Sequence, residues 1–127
     1  MPRRSIDVEG FGHENPIPAA SRIGPLLVTS VIAPFDPGTR NVPADPEAQV
    51  RNLFTHMGTI LAEAGAGFGD VAKITFFVDD LALRSVINGP WTEHFPDPGS
   101  RPARHTQLAP GAGDAVVRCD VLAYVER

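Results

Sequence analysis

Apolar residues recur along this chain at two different spacings. Val50, Leu53, Phe54, Met57, Ile60, Leu61 and Ala64 return every three or four positions, which is one stripe of an α-helix. Asn52, Thr55, His56, Thr59 and Glu63 fall mainly on the other side of it. Asp45-Pro46-Glu47 marks its start: a capping side chain, a proline suited to the first helical position and an acid at the positive end of the dipole. Gly65 is placed to end it. From Val71 to Val78 the spacing changes to two, with Ile74, Phe76 and Val78 opposite Lys73, Thr75 and Phe77, which predicts a strand. Ala115 to Val125 alternates likewise: Val117, Cys119, Val121 and Ala123 share one face, and Val116, Arg118, Asp120, Leu122 and Tyr124 the other. Leu26 to Ala33 is almost continuously apolar and rich in β-branched residues, which predicts a buried strand ended by Pro34.

The remaining segments are weaker. Residues 81–95 carry Leu83, Val86, Ile87, Trp91 and Phe95 at helical spacing, but Gly89-Pro90 interrupts them. This predicts a helix that begins irregularly or restarts near Pro90, with Asn88 as its cap. Residues 1–14 read as a short edge strand or a loose arm, and Asn15-Pro16-Ile17-Pro18 excludes a central strand. Ile23-Gly24-Pro25 and Pro110 to Asp114 read as turns, residues 35–44 as a long polar turn, and Arg104 to Ala109 as the start of a strand. The predicted order gives an α+β (or α/β) sandwich with two helices on one face of a mixed sheet.

A chain of 127 residues with 43% hydrophobic and 20% charged positions fits one globular domain, residues 1–127, whose apolar surface partner subunits would partly cover. A net charge of -4 without runs of like charge argues against nucleic acid as a partner. The single Cys119 excludes an internal disulfide framework. No apolar run approaches the roughly 20 residues that cross a bilayer, so no membrane is expected. Met1-Pro2-Arg3-Arg4-Ser5 is basic but leads into no apolar stretch, so a cytoplasmic location is the simplest expectation.

Several chemistries lack their residues. Gly65-Ala66-Gly67-Phe68-Gly69 follows a helix rather than a strand, which makes it a cap and turn and not a dinucleotide fingerprint. The histidines at 13, 56, 94 and 105 have no short metal-ligand spacing, so no metal is expected. Cys119 lies mid-strand, where a small inert core residue is the expected role. Ser100-Arg101-Pro102-Ala103-Arg104-His105 is different, because it holds two guanidinium groups close together where a loop enters a strand. A guanidinium is a permanently charged fork that fits a carboxylate with two parallel hydrogen bonds. Arg104 is therefore a candidate clamp for a small organic acid. The alternative is that both arginines are solvated or paired with acidic neighbours. His105 is a candidate general acid or base, against the alternative of a histidine that only packs.

A wider set of residues resembles the RidA/YjgF family. It comprises Leu27-Val28-Thr29-Ser30 before a proline-rich turn, Gln49 through Leu53, Leu61-Ala62-Glu63-Ala64-Gly65-Ala66, Asp70 through Leu81, Asn88 with Trp91 and Phe95, and Arg101-Pro102-Ala103-Arg104. The order and spacing agree over about residues 15–125. The resemblance implies a chorismate-mutase-like fold and a homotrimer with a barrel-like core and three sites between subunits. It implies that Arg104 binds the carboxylate of a 2-imino acid, that no cofactor is needed, and that Asp120 helps hold the water that hydrolyses the imine or enamine to a 2-keto acid and ammonia.

Around that site the chain departs from active relatives. Ile17 stands where they carry tyrosine, Ser30-Val31 where they have Ser-Gly, His105-Thr106 where they have serine-cysteine, and Asp120 where they have glutamate. Valine narrows a space that glycine leaves open to a carboxylate. The resemblance thus implies a substrate site of Arg104, Ile17, Ser30, Val31, Thr106, Asn88 and Trp91, with Arg104, Asp120 and His105 as catalytic candidates. Two functions are expected from it: an imine or enamine deaminase, or a non-catalytic, chaperone-like trimer that binds a small carboxylate. Endoribonuclease activity, attached to some relatives, is the least favoured.

Overall fold

The computed structural model describes residues 2–10 and 12–126; Met1, Phe11 and Arg127, which belong to the expected terminal arm and to the end of the chain, lie outside the described residues. The strands β1 (Arg3–Ile6), β2 (Ala20–Ile23), β3 (Leu26–Thr29), β4 (Val71–Val78), β5 (Ala103–Leu108) and β6 (Val117–Tyr124) form one sheet in the order β1-β2-β3-β6-β4-β5. β4 and β5 are parallel and the other neighbours antiparallel. Helices α1 (Pro46–Glu63) and α2 (Arg84–His94) cover one face of this mixed sheet, as the alternating pattern predicts.

The expected alternations hold in β4 and β6. Ile74, Phe76 and Val78 are buried under the helices together with Val117, Cys119, Val121 and Ala123. The α1 stripe faces them from above. Gly65 ends α1 at a positive φ of 78°, and the next amide, Ala66 N–H, donates back to Leu61 O at 2.8 Å.

Other expectations are corrected. Leu26 to Ala33 is not a continuous buried strand. The ladder stops at Thr29, whose hydroxyl accepts from Val121 N–H at 2.9 Å, and pairing resumes only at the Ile32–Cys119 bridge. The side chains change phase where the ladder breaks: Leu27 and Ile32, on either side of the break, are buried, while Leu26, Val28 and Val31 are exposed. β2 was hidden by its short, polar sequence, Ala-Ser-Arg-Ile. It joins β3 through Gly24-Pro25, with Gly24 at a positive φ of 55°, the conformation a two-residue hairpin requires at its first central residue. Asp45 stands at the N-cap of α1, but its side chain makes no capping hydrogen bond. His56 is buried rather than on the polar side of α1, with Nε2 at 2.7 Å from Phe35 O. The second helix does not restart at Pro90, and Asn88 does not cap it. A 3₁₀ turn, Leu81–Leu83, capped by Asp80, opens it, and it then runs through Pro90. Ile87, Pro90 and Trp91 share the buried face, and that packing overrides the proline.

The second face of the sheet has no helix over it. Leu26, Val28, Leu122 and Tyr124 are 42, 39, 41 and 55% exposed there. The same face turns polar toward β4 and β5.

Candidate functional site

Arg104 occupies the edge strand β5 opposite Ile74 of β4, which points its side chain to the helix face. There its guanidinium is held by α2. Nη1 donates to Asn88 Oδ1 at 2.9 Å and Nη2 to the Arg84 carbonyl at 3.0 Å. It lies 5.2 Å from the Trp91 ring centroid and 5.9 Å from that of Phe76. A guanidinium has five N–H donors, so about three remain for a ligand. No acidic side chain among the described residues forms an ion pair with it, so the acid-paired alternative is not seen for Arg104 in this chain. Partial burial, reinforced by the nearby Arg84, lowers its pKa, and arginine starts so high that it stays cationic. Thr106, two residues along β5 and opposite Phe76, shares the face. Arg104, Thr106, Asn88 and Trp91 thus belong to one group.

Of the remaining candidates, Asp120, His105 and Val31 are brought to one face. Asp120 is opposite Thr75, and Thr75 is in turn opposite His105, so all three face the uncovered side. Partial burial raises the Asp120 pKa, and the ammonium of Lys73 works against that rise. Ile32 and Cys119 exchange backbone hydrogen bonds at 2.7 and 3.2 Å, which brings Val31 beside Asp120 on this face. Ser30 ties the end of β3 to the preceding segment, its hydroxyl donating to Pro18 O at 2.7 Å and its N–H to Ala19 O at 2.9 Å. Ile17, next to that anchor, is 46% exposed. Within one chain, Arg104 and Asp120 are therefore two strands apart on opposite faces of the sheet. Sequence reasoning missed Lys73 and Thr75 as the neighbours of Asp120, and the Arg84 carbonyl as a support of Arg104. Only the strand register and the helix position bring these together, and neither is written in local spacing. No group of three or more His, Cys, Asp or Glu among the described residues could hold a metal ion.

Residues 13–123 match the family described as Endoribonuclease L-PSP, and the fold coincides with solved members. The chain belongs to the RidA/YjgF family. This RidA/YjgF chain is 29% identical over 113 residues to a RutC family protein of Pyrococcus abyssi, covering 87% of each. It is 36% identical over 73 residues to the 2-iminobutanoate/2-iminopropanoate deaminase of Escherichia coli, a match that spans 58% of this chain and 57% of that enzyme. Its structure superposes on that of E. coli TdcF with bound serine at a TM-score of 0.85, with 27% identity over 95% of this chain and 98% of the other. Among the described residues, no helix is long and apolar enough to cross a membrane.

Proposed function

We propose that this RidA/YjgF protein hydrolyses a small 2-imino acid, or its enamine tautomer, to the 2-keto acid and ammonia, at a site shared between copies of a homotrimer. One observation carries the reading: a partly buried guanidinium, braced by Asn88 and an α2 carbonyl, flanked by Trp91 and with no carboxylate partner among the described residues. A substrate carboxylate is the group that completes it. The deaminase activity for which the E. coli relative is named and the serine bound to TdcF, itself a carboxylate, support the same reading.

In the proposed reaction the imine carbon is already electrophilic, and more so once its nitrogen is protonated. A water oxygen bonds to that carbon, a water proton leaves, and the C=N electron pair is taken up by the protonated nitrogen. The resulting carbinolamine, protonated on nitrogen, then re-forms C=O as its hydroxyl proton passes to water and ammonia departs. Arg104 fixes the substrate, with Thr106 alongside it. Asp120, whose raised pKa brings it closer to working pH than an ordinary aspartate, holds the water and takes its proton, and His105 returns one to the departing nitrogen. Ser30, Ile17 and Val31 shape the wall beside Asp120. Because Arg104 and Asp120 point away from each other in one chain, a second copy must supply one of them. The uncovered apolar face gives the copies a reason to associate.

The same opposition of faces favours a second reading, in which Arg104 binds a small carboxylate and no turnover follows. Ribonuclease chemistry is left out, because a net charge of -4 is the wrong sign for RNA. A coupled assay separates the two remaining readings. An amino-acid oxidase generates 2-iminobutanoate in the presence of semicarbazide, and the readout is semicarbazone. Suppression by the wild type that disappears in Arg104→Ala is the expected result. A folded protein that binds 2-ketobutyrate through Arg104 but leaves semicarbazone formation unchanged would establish the binding-only reading.

A further inference from the structure

The other arginine of the pair has a different setting. Arg101 does not reach the Arg104 group. Its Nε donates to the Phe95 carbonyl at 2.8 Å and its Nη2 approaches the Pro96 carbonyl at 3.5 Å, so the guanidinium is held by the loop that it closes. It forms no ion pair among the described residues. Beside it, between the end of α2 and the start of β4, is a half-open cavity of about 320 Å³. That volume lies within the usual range of small-molecule sites.

Part of the cavity wall is aromatic, and the rest is polar or aliphatic loop. Phe68 and Phe95 meet edge to face with centroids 5.9 Å apart, and His94 packs at 4.9 Å from Phe68. His94 is itself fixed. Its ring stacks on Phe54 at 4.4 Å, and its Nδ1 lies 2.8 Å from the Pro90 carbonyl. A carbonyl only accepts, so Nδ1 carries the proton of this contact. Asp97, also on the rim, has its Oδ1 engaged by Gly99 N–H at 2.9 Å.

We propose that this cavity binds a small anion with a flat aromatic body, an arene carboxylate being the simplest member, with its ring against Phe68, His94 and Phe95 and its charge on Arg101. The rings are already in place and the guanidinium is already oriented, so little ordering accompanies binding. The site is separate from the Arg104 group and does not depend on the deaminase reading.

The probe is 2-naphthoate, titrated into the full-length Arg104→Ala protein and followed by heteronuclear NMR, so that the Arg104 group cannot contribute. Saturable shifts at Phe68, His94 and Phe95 are expected. The neutral 2-naphthamide and the non-planar cyclohexanecarboxylate should each bind about tenfold more weakly or worse, through the lost charge-assisted bond or the lost stacking. Arg101→Gln should weaken 2-naphthoate by a similar factor. Because Arg101 also holds its loop, a second variant leaves that loop alone. Gly69 lines the cavity, has an unstrained φ, and a Cβ there meets nothing within 4 Å, so the added side chain of Gly69→Leu is expected to take up cavity space. Binding should be lost in it. No saturable binding, or binding that survives Gly69→Leu, overturns the proposal. Loss in Gly69→Leu with full affinity in Arg101→Gln overturns its anionic half.

Discussion

The two faces of β6 are built from one strand and have opposite fates. Val117, Cys119, Val121 and Ala123 are covered completely by α1, α2 and the core they enclose. Of the residues one step out of phase, Arg118 and Asp120 are half-buried and Leu122 and Tyr124 are exposed. The uncovered face is itself divided. Toward β3 it is apolar, with Leu26 and Val28 beside Leu122 and Tyr124; toward β4 and β5 it carries Lys73, Thr75, His105 and Asp120. Apolar side chains of this size each contribute about 1.5–3 kcal/mol when fully covered. The lesson is that one face is finished by the chain itself, whereas the other is an unspent source of stability next to the polar residues that chemistry would use.

The comparison breaks most sharply in the covered core. Phe76→Ala removes a fully buried ring that touches both Phe54 and Trp91, and should cost about 3–5 kcal/mol in urea unfolding. Leu122→Asp, on the other side of the same sheet, should leave the folded chain nearly intact by circular dichroism but prevent its assembly. Light scattering should then report a monomer for the variant and, on the shared-site reading, a trimer for the wild type. A wild type that is monomeric at micromolar concentration would sink the shared-site reading. A trimer that survives Leu122→Asp would place the interface elsewhere. Between these in kind is the Cys119 thiol, on the covered face. Burial raises its pKa well above that of an ordinary thiol, with the Asp120 charge adding to the effect. It should be inert to a disulfide reagent in the folded protein and react at once in urea.

Much of this fold is written in side-chain period. The α1 stripe and the alternations of β4 and β6 identify the covered face residue by residue, because one buried face imposes a strict pattern. The β3 segment shows where that logic stops. Leu26, Val28 and Val31 make the stretch look buried on both sides, and in the isolated chain it is buried on one; continuous apolarity records a surface to be covered, not what covers it. Polar anchors escape for another reason. Gln49 is buried, with Nε2 donating to Pro43 O and Asp114 O and Oε1 accepting from Val116 N–H, all at 2.9 Å. Its partners lie up to 67 positions away and no spacing rule reaches them. The site shows both limits. Arg104 stood out by its charge and its loop-to-strand setting, but its separation from Asp120 by a whole sheet depends on register.

Asp120 gives the smallest effect and sharpens the comparison furthest. In the isolated chain its carboxyl is partly buried, its pKa is raised, and Lys73 only partly offsets that. A raised pKa means that the folded protein holds the proton more tightly than the unfolded one. The stability linked to that proton is complete below the unfolded pKa and is lost as pH rises through the folded one. Asp120→Asn removes this loss. At pH above the folded pKa it should therefore raise the stability slightly, by less than about 1 kcal/mol because solvent screens a group this exposed, and the gain should vanish in acid. Differential scanning calorimetry of both proteins from acid to neutral pH measures it. If Asp120→Asn instead destabilises at neutral pH, and still does so when Lys73 is replaced by methionine, the carboxylate has a cationic partner beyond Lys73. A neighbouring copy would then be supplying that partner on the face this chain leaves open.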